Sequence, residues 1–128
     1  DAAPLKRLVA LEELDLTATG ITTLTWARRL VNLKVLTLTD TAVKTLRPLT
    51  ALASLVSLDL AATPVKRLPS FKRLKALETL VLSDTFVSKV WSLRVVKTLK
   101  RLDLGGTEVP EDKVVKLREA MPDCVISY

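Results

Sequence analysis

Apolar and polar residues recur along this chain at a fixed interval of 22 residues. Segment 33–43, which reads LKVLTLTDTAV, defines the repeat: leucine at positions one, four and six, threonine at position nine, and valine at position eleven. The same frame begins at Leu11, Leu55, Leu77 and Leu99, with isoleucine at position eleven of the first. A fixed period in this range predicts a solenoid in which each repeat forms one coil stacked on the next.

The first half of each repeat alternates between apolar and polar residues, as in Leu58-Asp59-Leu60. Alternation with a period of two predicts a short strand with its leucines turned inward. Because the chain travels the same way around every coil, successive strands must be parallel and must complete one another's hydrogen bonds. We therefore predict a parallel sheet with one short strand from each of the five frames.

The second half of each repeat keeps apolar residues at positions 14, 17 and 20, for example Leu46, Leu49 and Leu52. A spacing of three residues suits a 3₁₀ turn better than a long α-helix. Pro48 and Pro69 interrupt two of these segments. We therefore expect short 3₁₀ or extended returns at the back of the coils.

The last repeat departs from this pattern after Val109. Acidic residues at 111–112 precede an apolar stripe of Val114, Leu117 and Met121, which predicts a helix. Residues 124–128 read as a final edge strand. We therefore assign residues 11–107 to the repeat core and residues 108–128 to a C-terminal cap.

Residues 1–10 match the second half of a repeat, because Pro4-Leu5 aligns with Pro48-Leu49. The chain thus begins inside a repeat, and the first strand is expected to leave an open sheet edge. We expect missing repeats, another domain or self-association to cover that end. The prediction is a fragment of a longer protein.

The frame LxxLxLxxTxV, with Pro48-Leu49 in the return, resembles leucine-rich repeats of the short, internalin-like class. That class more often carries asparagine at position nine, and the closing residues 105–126 are similar to related repeats of bacterial and protozoan proteins. The resemblance covers roughly residues 3–128. It implies an α/β-type right-handed solenoid with a parallel sheet on the concave face, 3₁₀ or extended turns on the convex face and a capping helix. For function it implies protein–protein recognition on the concave sheet.

Position nine is threonine in all five frames. A buried hydroxyl in the turn after a strand can bond to backbone groups that water does not reach. Five identical neighbours at one spacing indicate a structural role. We therefore predict a ladder formed by Thr19, Thr41, Thr63, Thr85 and Thr107.

The net charge of +6 is divided unevenly by the repeat frame. Positions one to nine of the five frames hold eight acidic and three basic residues. The segments between them, with residues 1–10 included, hold 14 basic residues and one acid. The two faces of the solenoid are therefore expected to differ in sign.

Positions three, five, seven and eight of each frame are expected to face outward on the concave side. They combine small side chains, which let a partner's backbone or helix approach closely, with carboxylates that favour a basic or polar segment. We hypothesise that this face binds a protein partner, the alternative being a solvated face kept acidic for solubility. The candidate residues are Glu13, Asp15, Thr17, Thr37, Asp40, Asp59, Val81, Asp84, Arg101 and Asp103.

The returns form a basic back that could contact RNA, an anionic membrane or an acidic protein. Nucleic-acid binding would combine this charge with exposed aromatic rings, and Trp26 and Trp91 are the candidates. The alternative is a solvated face whose long stems cover apolar flanks. The candidate patch is Arg28, Arg29, Lys66, Arg67, Lys72, Arg73, Lys75 and Arg94, with Lys44, Arg47, Lys89 and Lys97 beside them.

Catalysis has little support in the sequence, because without histidine neither a Ser-His nor a Cys-His pair can form. Asp15, Asp59 and Asp103 occupy alternate repeats, roughly 10 Å apart, which is too far for a shared proton or a compact metal site. We therefore expect no cofactor, no metal site and no enzymatic activity in this segment. A second interpretation is a scaffold or ribonucleoprotein subunit that contacts RNA or an acidic neighbour through its basic back. A third is a recognition segment of a larger enzyme.

The single cysteine, Cys124, excludes an internal disulfide. The N-terminus has no apolar signal-peptide core, and no apolar run approaches the roughly 18 residues of a membrane span. These features point to an intracellular protein or an excised fragment, without membrane insertion.

Overall fold

The computed structural model describes residues 8–128, which form a stack of coils with a six-stranded parallel sheet along one side. Residues 1–7, and with them most of the predicted partial repeat at 1–10, lie outside the described residues. The strands are β1 (Glu13–Asp15), β2 (Val35–Thr37), β3 (Ser57–Asp59), β4 (Thr79–Val81), β5 (Arg101–Asp103) and β6 (Val125–Ser127). Within the described residues, three 3₁₀ helices span Thr25–Arg29, Arg47–Ala51 and Trp91–Val95, and helix α1 spans Glu111–Ala120.

The strands pair in sequence order with a constant register. Glu13 lies opposite Val35, and Val35 opposite Ser57, so neighbouring strands are offset by one repeat length. Strand β6 pairs with β5 through Arg101 and Val125, a longer step in which α1 replaces the ordinary return. The predicted parallel sheet, including its final edge strand, is therefore confirmed.

Rows of aliphatic side chains fill the interior of the coils. In the third coil Leu55, Leu58, Leu60 and Val65 are fully buried, and burial of each such side chain contributes about 1.5–3 kcal/mol relative to exposure. The row continues on the return, where Phe71 is 2% exposed at position 17. The repeated frame thus places every core position of one coil against the same position of the next.

The returns follow the predicted 3₁₀ or extended geometry. Pro48 lies in the first turn of the second 3₁₀ helix. Backbone N–H groups in a first turn have no partner within the helix, so the missing N–H of proline costs no helical hydrogen bond there. The third coil, which carries Pro69, has turns but no helix in residues 66–76. The coils before the last strand pair therefore close within one repeat without an α-helix on their backs.

The two ends of the described solenoid differ in how far their apolar side chains are covered. At the first coil Leu11, Leu14 and Leu16 are only partly buried, whereas their equivalents in the central coils are fully enclosed. At the other end α1 buries Val114 and Leu117 and packs against the 3₁₀ helix Trp91–Val95 and against β6. The predicted C-terminal helix is therefore present, and it lies on the return side of the last coil.

The five threonines at position nine all make the same hydrogen bond. Each hydroxyl donates to the carbonyl oxygen three residues earlier, at 2.7–2.8 Å. The accepting residues are Leu16, Leu38, Leu60, Leu82 and Leu104. Thr41, Thr63 and Thr85 are buried, whereas Thr19 is exposed. Each threonine hydroxyl thus gives a hydrogen-bond partner to a backbone carbonyl group in the turn that follows the strand.

This ladder gives a testable prediction for Thr63→Val. The substitution keeps the shape of the side chain but leaves the buried carbonyl of Leu60 without its hydroxyl donor, so we expect a loss of about 1–3 kcal/mol in the free energy of unfolding. The matched control Thr19→Val removes the same bond where water replaces it, and should cost less than about 0.5 kcal/mol. Urea unfolding followed by circular dichroism measures both, and equal losses would show that burial does not govern the ladder.

Candidate functional site

The centre of the concave face is a strip of small, mostly uncharged side chains on β2, β3 and β4. The parallel register sets Val35, Ser57 and Thr79 side by side, and likewise aligns Thr37, Asp59 and Val81. All six are half-buried, because adjacent strands lie only about 4.8 Å apart and neighbouring side chains shield one another. We call Val35, Thr37, Ser57, Thr79 and Val81 the concave strip.

Charged side chains flank the concave strip at both ends of the sheet. Glu13 and Asp15 are exposed on β1, and Arg101 is exposed beside half-buried Asp103 on β5. The acids of the first strand thus lie several strands away from the acid of the fifth. The structure therefore does not gather the predicted concave residues into one charged cluster.

The carboxylates at position five close the turn after their strands. Asp15, Asp59 and Asp103 each accept a hydrogen bond at 2.9 Å from the backbone N–H two residues later, on Thr17, Ala61 and Gly105. This is the Asx arrangement, in which a short acidic side chain imitates a backbone turn. This role was not predicted from the sequence, although an aspartate directly followed by a turn is its usual signal.

Local hydrogen bonds shift the pKa values of groups near the first strand. The hydroxyl and the backbone N–H of Thr17 lower the pKa of Asp15. The Nζ of Lys34 lies 2.7 Å from Oε1 of Glu12. This hydrogen-bonded ion pair lowers the pKa of the Glu12 carboxyl and raises the pKa of the Lys34 ammonium group. These groups are therefore held in their charged forms at neutral pH.

Position eight adopts a left-handed backbone in every repeat. Ala18, Asp40, Ala62 and Asp84 have φ between 54° and 57°, and Gly106 has φ 68°. Asp40 and Asp84 are exposed, but they project from the turn, because the strands end at position five. The backbone N–H of Asp40 donates to the carbonyl oxygen of Ala61 in the next coil at 3.0 Å. Contact between coils therefore holds a conformation that non-glycine residues otherwise disfavour.

Four of the returns carry only positive charge. Segments 21–32, 42–54, 64–76 and 86–98 hold twelve basic residues and no acid. Within residues 8–128 the ion pairs are Glu12–Lys34 and Glu78–Lys100, so none of the twelve is paired. We call this set the convex cationic surface: Arg28, Arg29, Lys44, Arg47, Lys66, Arg67, Lys72, Arg73, Lys75, Lys89, Arg94 and Lys97.

The two tryptophans differ from each other in exposure. Trp26 is 8% exposed, and its indole N–H donates to the carbonyl oxygen of Thr23 at 2.8 Å, so the expectation that it lies on the surface is wrong. Trp91 is 42% exposed. The guanidinium carbon of Arg94 lies 4.7 Å from the centroid of its ring and the Nζ of Lys116 lies 4.9 Å from it. Trp91 is therefore an exposed aromatic ring with two cations close to it.

Other features of the described residues add little chemistry. A groove of about 600 Å³ is lined by Lys75, Lys97 and Lys100 together with Glu78 and Asp123. Burial raises the pKa of the Cys124 thiol, which disfavours its reactive thiolate. Residues 8–128 contain no group of three or more acidic or cysteine side chains placed to hold a metal ion. None of their helices is both long and apolar enough to span a membrane.

The sheet, the closed returns and the capping helix together define a leucine-rich repeat fold. A leucine-rich repeat protein of Leptospira interrogans has 23% sequence identity and a TM-score of 0.78, with 97% of this chain and 38% of that chain aligned. The internalin inlF of Listeria monocytogenes has 17% identity and a TM-score of 0.85 over 99% of this chain and 44% of that chain. Internalin C2 of the same organism has 23% identity and a TM-score of 0.87 over 98% and 54%.

These similarities establish the fold. The chain spans 38–54% of the length of the solved proteins it matches. No protein-family model matches the chain, and a search of curated proteins also found no match. The expected internalin-like solenoid is therefore confirmed as an architecture, and the partner has to be inferred from this chain's own surfaces.

The left-handed turn gives a prediction for Gly106→Ala. The positive φ alone is expected to cost about 1–2 kcal/mol, and the added methyl would collide with Oδ1 of Asp84. The matched control Gly20→Ala meets nothing within 4 Å and should change the free energy of unfolding by less than about 0.5 kcal/mol.

A double variant separates the two causes. Adding Asp84→Ala to Gly106→Ala removes the collision and should recover part of the loss, which urea unfolding in a double-mutant cycle measures. If Gly106→Ala were as harmless as Gly20→Ala, the left-handed turn would not constrain the last coil.

Proposed function

We propose that this protein is a non-catalytic interaction module that binds a partner protein through the concave face of its sheet. The observation that carries the proposal is the concave strip, a band of small, half-buried and uncharged side chains in register across β2, β3 and β4. Side chains of this size let a partner's backbone or helix approach the sheet closely. The absence of histidine from the sequence favours binding over catalysis.

The rigidity of the sheet supports this role. Backbone bonds between coils, such as Leu38 N–H to the Asp59 carbonyl at 2.8 Å and Leu60 N–H to the Val81 carbonyl at 2.9 Å, fix the surface before any partner arrives. Serine, threonine and valine also have few rotamers to immobilise. Both features reduce the entropy lost on association, which is a main cost of binding.

The charges around the concave strip indicate the chemistry of the partner. Asp40 and Asp84 are exposed on the turn side of the strip, and Asp59 lies within its central strand. Because carboxylates around an uncharged centre attract and orient positive groups, we propose a partner segment that is basic or polar. Binding through such rim charges is expected to weaken as salt is raised.

The test blocks the concave strip without disturbing the turns. Charge reversal of Asp15, Asp59 and Asp103 is unsuitable, because these residues also accept the turn hydrogen bonds. The double variant Ser57→Arg/Thr79→Arg instead fills the centre of the strip. The matched control Thr22→Arg/Thr45→Arg adds the same groups at exposed positions on the returns.

The partner is captured from an extract of the source organism on immobilised wild-type protein, identified by mass spectrometry and purified for calorimetry. Blocking the strip removes desolvated contacts at the centre of the interface, so we expect affinity to fall by at least about tenfold, while the control binds as wild type does. A partner held equally by both variants, or lost equally from both, would exclude the concave face as the site.

A further inference from the structure

The convex cationic surface has no role in the proposed concave interaction. Its twelve cations come from four successive coils, and no acidic residue occurs in the segments that carry them. A surface that served only for solubility would gain from interspersed charges of both signs, which lower self-repulsion. The sequence instead separates its charges, placing acids on the sheet side and cations on the returns.

In the third and fourth coils the cations extend across the whole return. Lys66 and Arg67 follow the turn that ends the strand side, Lys72 and Arg73 lie in the middle of the return, and Lys75 precedes the next strand. All five are exposed. The fourth coil repeats this arrangement with Lys89, Arg94 and Lys97. A partner that neutralised these charges would therefore have to follow a curved surface from one flank to the other.

Trp91 marks the end of this surface next to the capping helix. Arg94 and Lys116 each lie within 5 Å of its ring centroid, and the Nη1 of Arg94 is fixed by a hydrogen bond to the Trp91 carbonyl oxygen at 2.9 Å. Both positive groups lie close to the same exposed ring, so an anion that bound beside the ring would be attracted to both of them. The exposed ring of Trp91 and the positive groups of Arg94 and Lys116 therefore lie together at this end of the surface.

We propose that the convex cationic surface binds single-stranded nucleic acid. A flat bilayer or a rigid duplex touches a convex surface along a narrow strip, whereas a flexible strand bends over it and reaches cations on both flanks as well as the back. Exposed aromatic groups among the cations favour nucleic acid over an acidic peptide, because bases pack against such rings. Trp91, which is 42% exposed and lies close to Arg94 and Lys116, is such a group.

The test uses a fluorescent oligonucleotide and two matched triple variants. Binding of a uridine or thymidine homopolymer of ~20 nucleotides is followed by fluorescence anisotropy between about 50 and 300 mM NaCl. The convex variant is Lys72→Gln/Arg73→Gln/Lys75→Gln. The control, Lys34→Gln/Lys100→Gln/Arg101→Gln, also removes three positive charges, but from the strand side of the coils. All six residues are exposed, and thermal unfolding verifies that both variants fold.

We expect wild type to bind the oligonucleotide and the convex variant to bind at least about tenfold more weakly at low salt. Because each phosphate contact on a single strand contributes about 0.7 to the slope of log K against log salt, the convex variant should lose about 2 from that slope. The control should keep the wild-type slope and an affinity within about threefold.

Three results would overturn the proposal. The first is no oligonucleotide binding by wild type at the lowest salt. The second is an equal loss in both triple variants, which would mean that net charge alone drives binding. The third is tighter binding of phosphatidylserine vesicles, polyglutamate or a duplex of the same length than of the single strand. That result would assign the surface to a membrane, an acidic protein or double-stranded nucleic acid.

Discussion

The hydrogen-bonded register between neighbouring coils is the constraint on which the rest of this structure depends. A strand of three residues cannot be stable alone, so each one relies on the coils before and after it for its backbone partners. The register sets Leu36 beside Leu58 and Leu58 beside Leu80, which stacks the core leucines in rows. It also stacks the turns, so the threonine hydroxyls and the left-handed residues at position eight recur at each step.

The same register gives the molecule two faces with opposite chemistry. Strand positions with outward side chains form a shallow, mildly acidic sheet, while the returns carry unpaired cations on the back. Apart from the aspartates at position five, which accept the turn hydrogen bonds, the charged side chains of both faces lie outside the core, so their charges can vary without loss of the fold. This independence is why surface chemistry, and not the architecture, has to identify the partners of a solenoid.

Periodicity made the fold predictable, because one repeat contains nearly all the information that stacking requires. The strands, the short returns and the capping helix all follow from leucine spacing and from the break after Val109. The burial of individual side chains could not be predicted from this periodicity. Trp26 is buried, and the nearby carbonyl of Thr23 accepts a hydrogen bond from its indole N–H, a local bond that no hydrophobic pattern reveals.

The backbone conformation and hydrogen bonds of the turns also could not be predicted from the sequence pattern. Alanine and aspartate at position eight do not signal a positive φ, since bonds to the next coil, and not residue preference, hold that geometry. The aspartates at position five looked like a binding column because alternation places them outward. Their hydrogen bonds to the following turn show that part of their charge serves the fold.

Residue-resolved hydrogen exchange tests the dependence on neighbouring coils most directly. The N–H groups of Leu38, Leu60 and Leu82 all bond to the next coil and have complete coils on both sides. They should therefore exchange only through global unfolding, whereas the equivalent N–H of Leu16 in the first coil should exchange faster by at least about tenfold. Exchange of Leu60 as fast as that of an exposed return residue such as Thr22 would contradict a register held by contacts between coils.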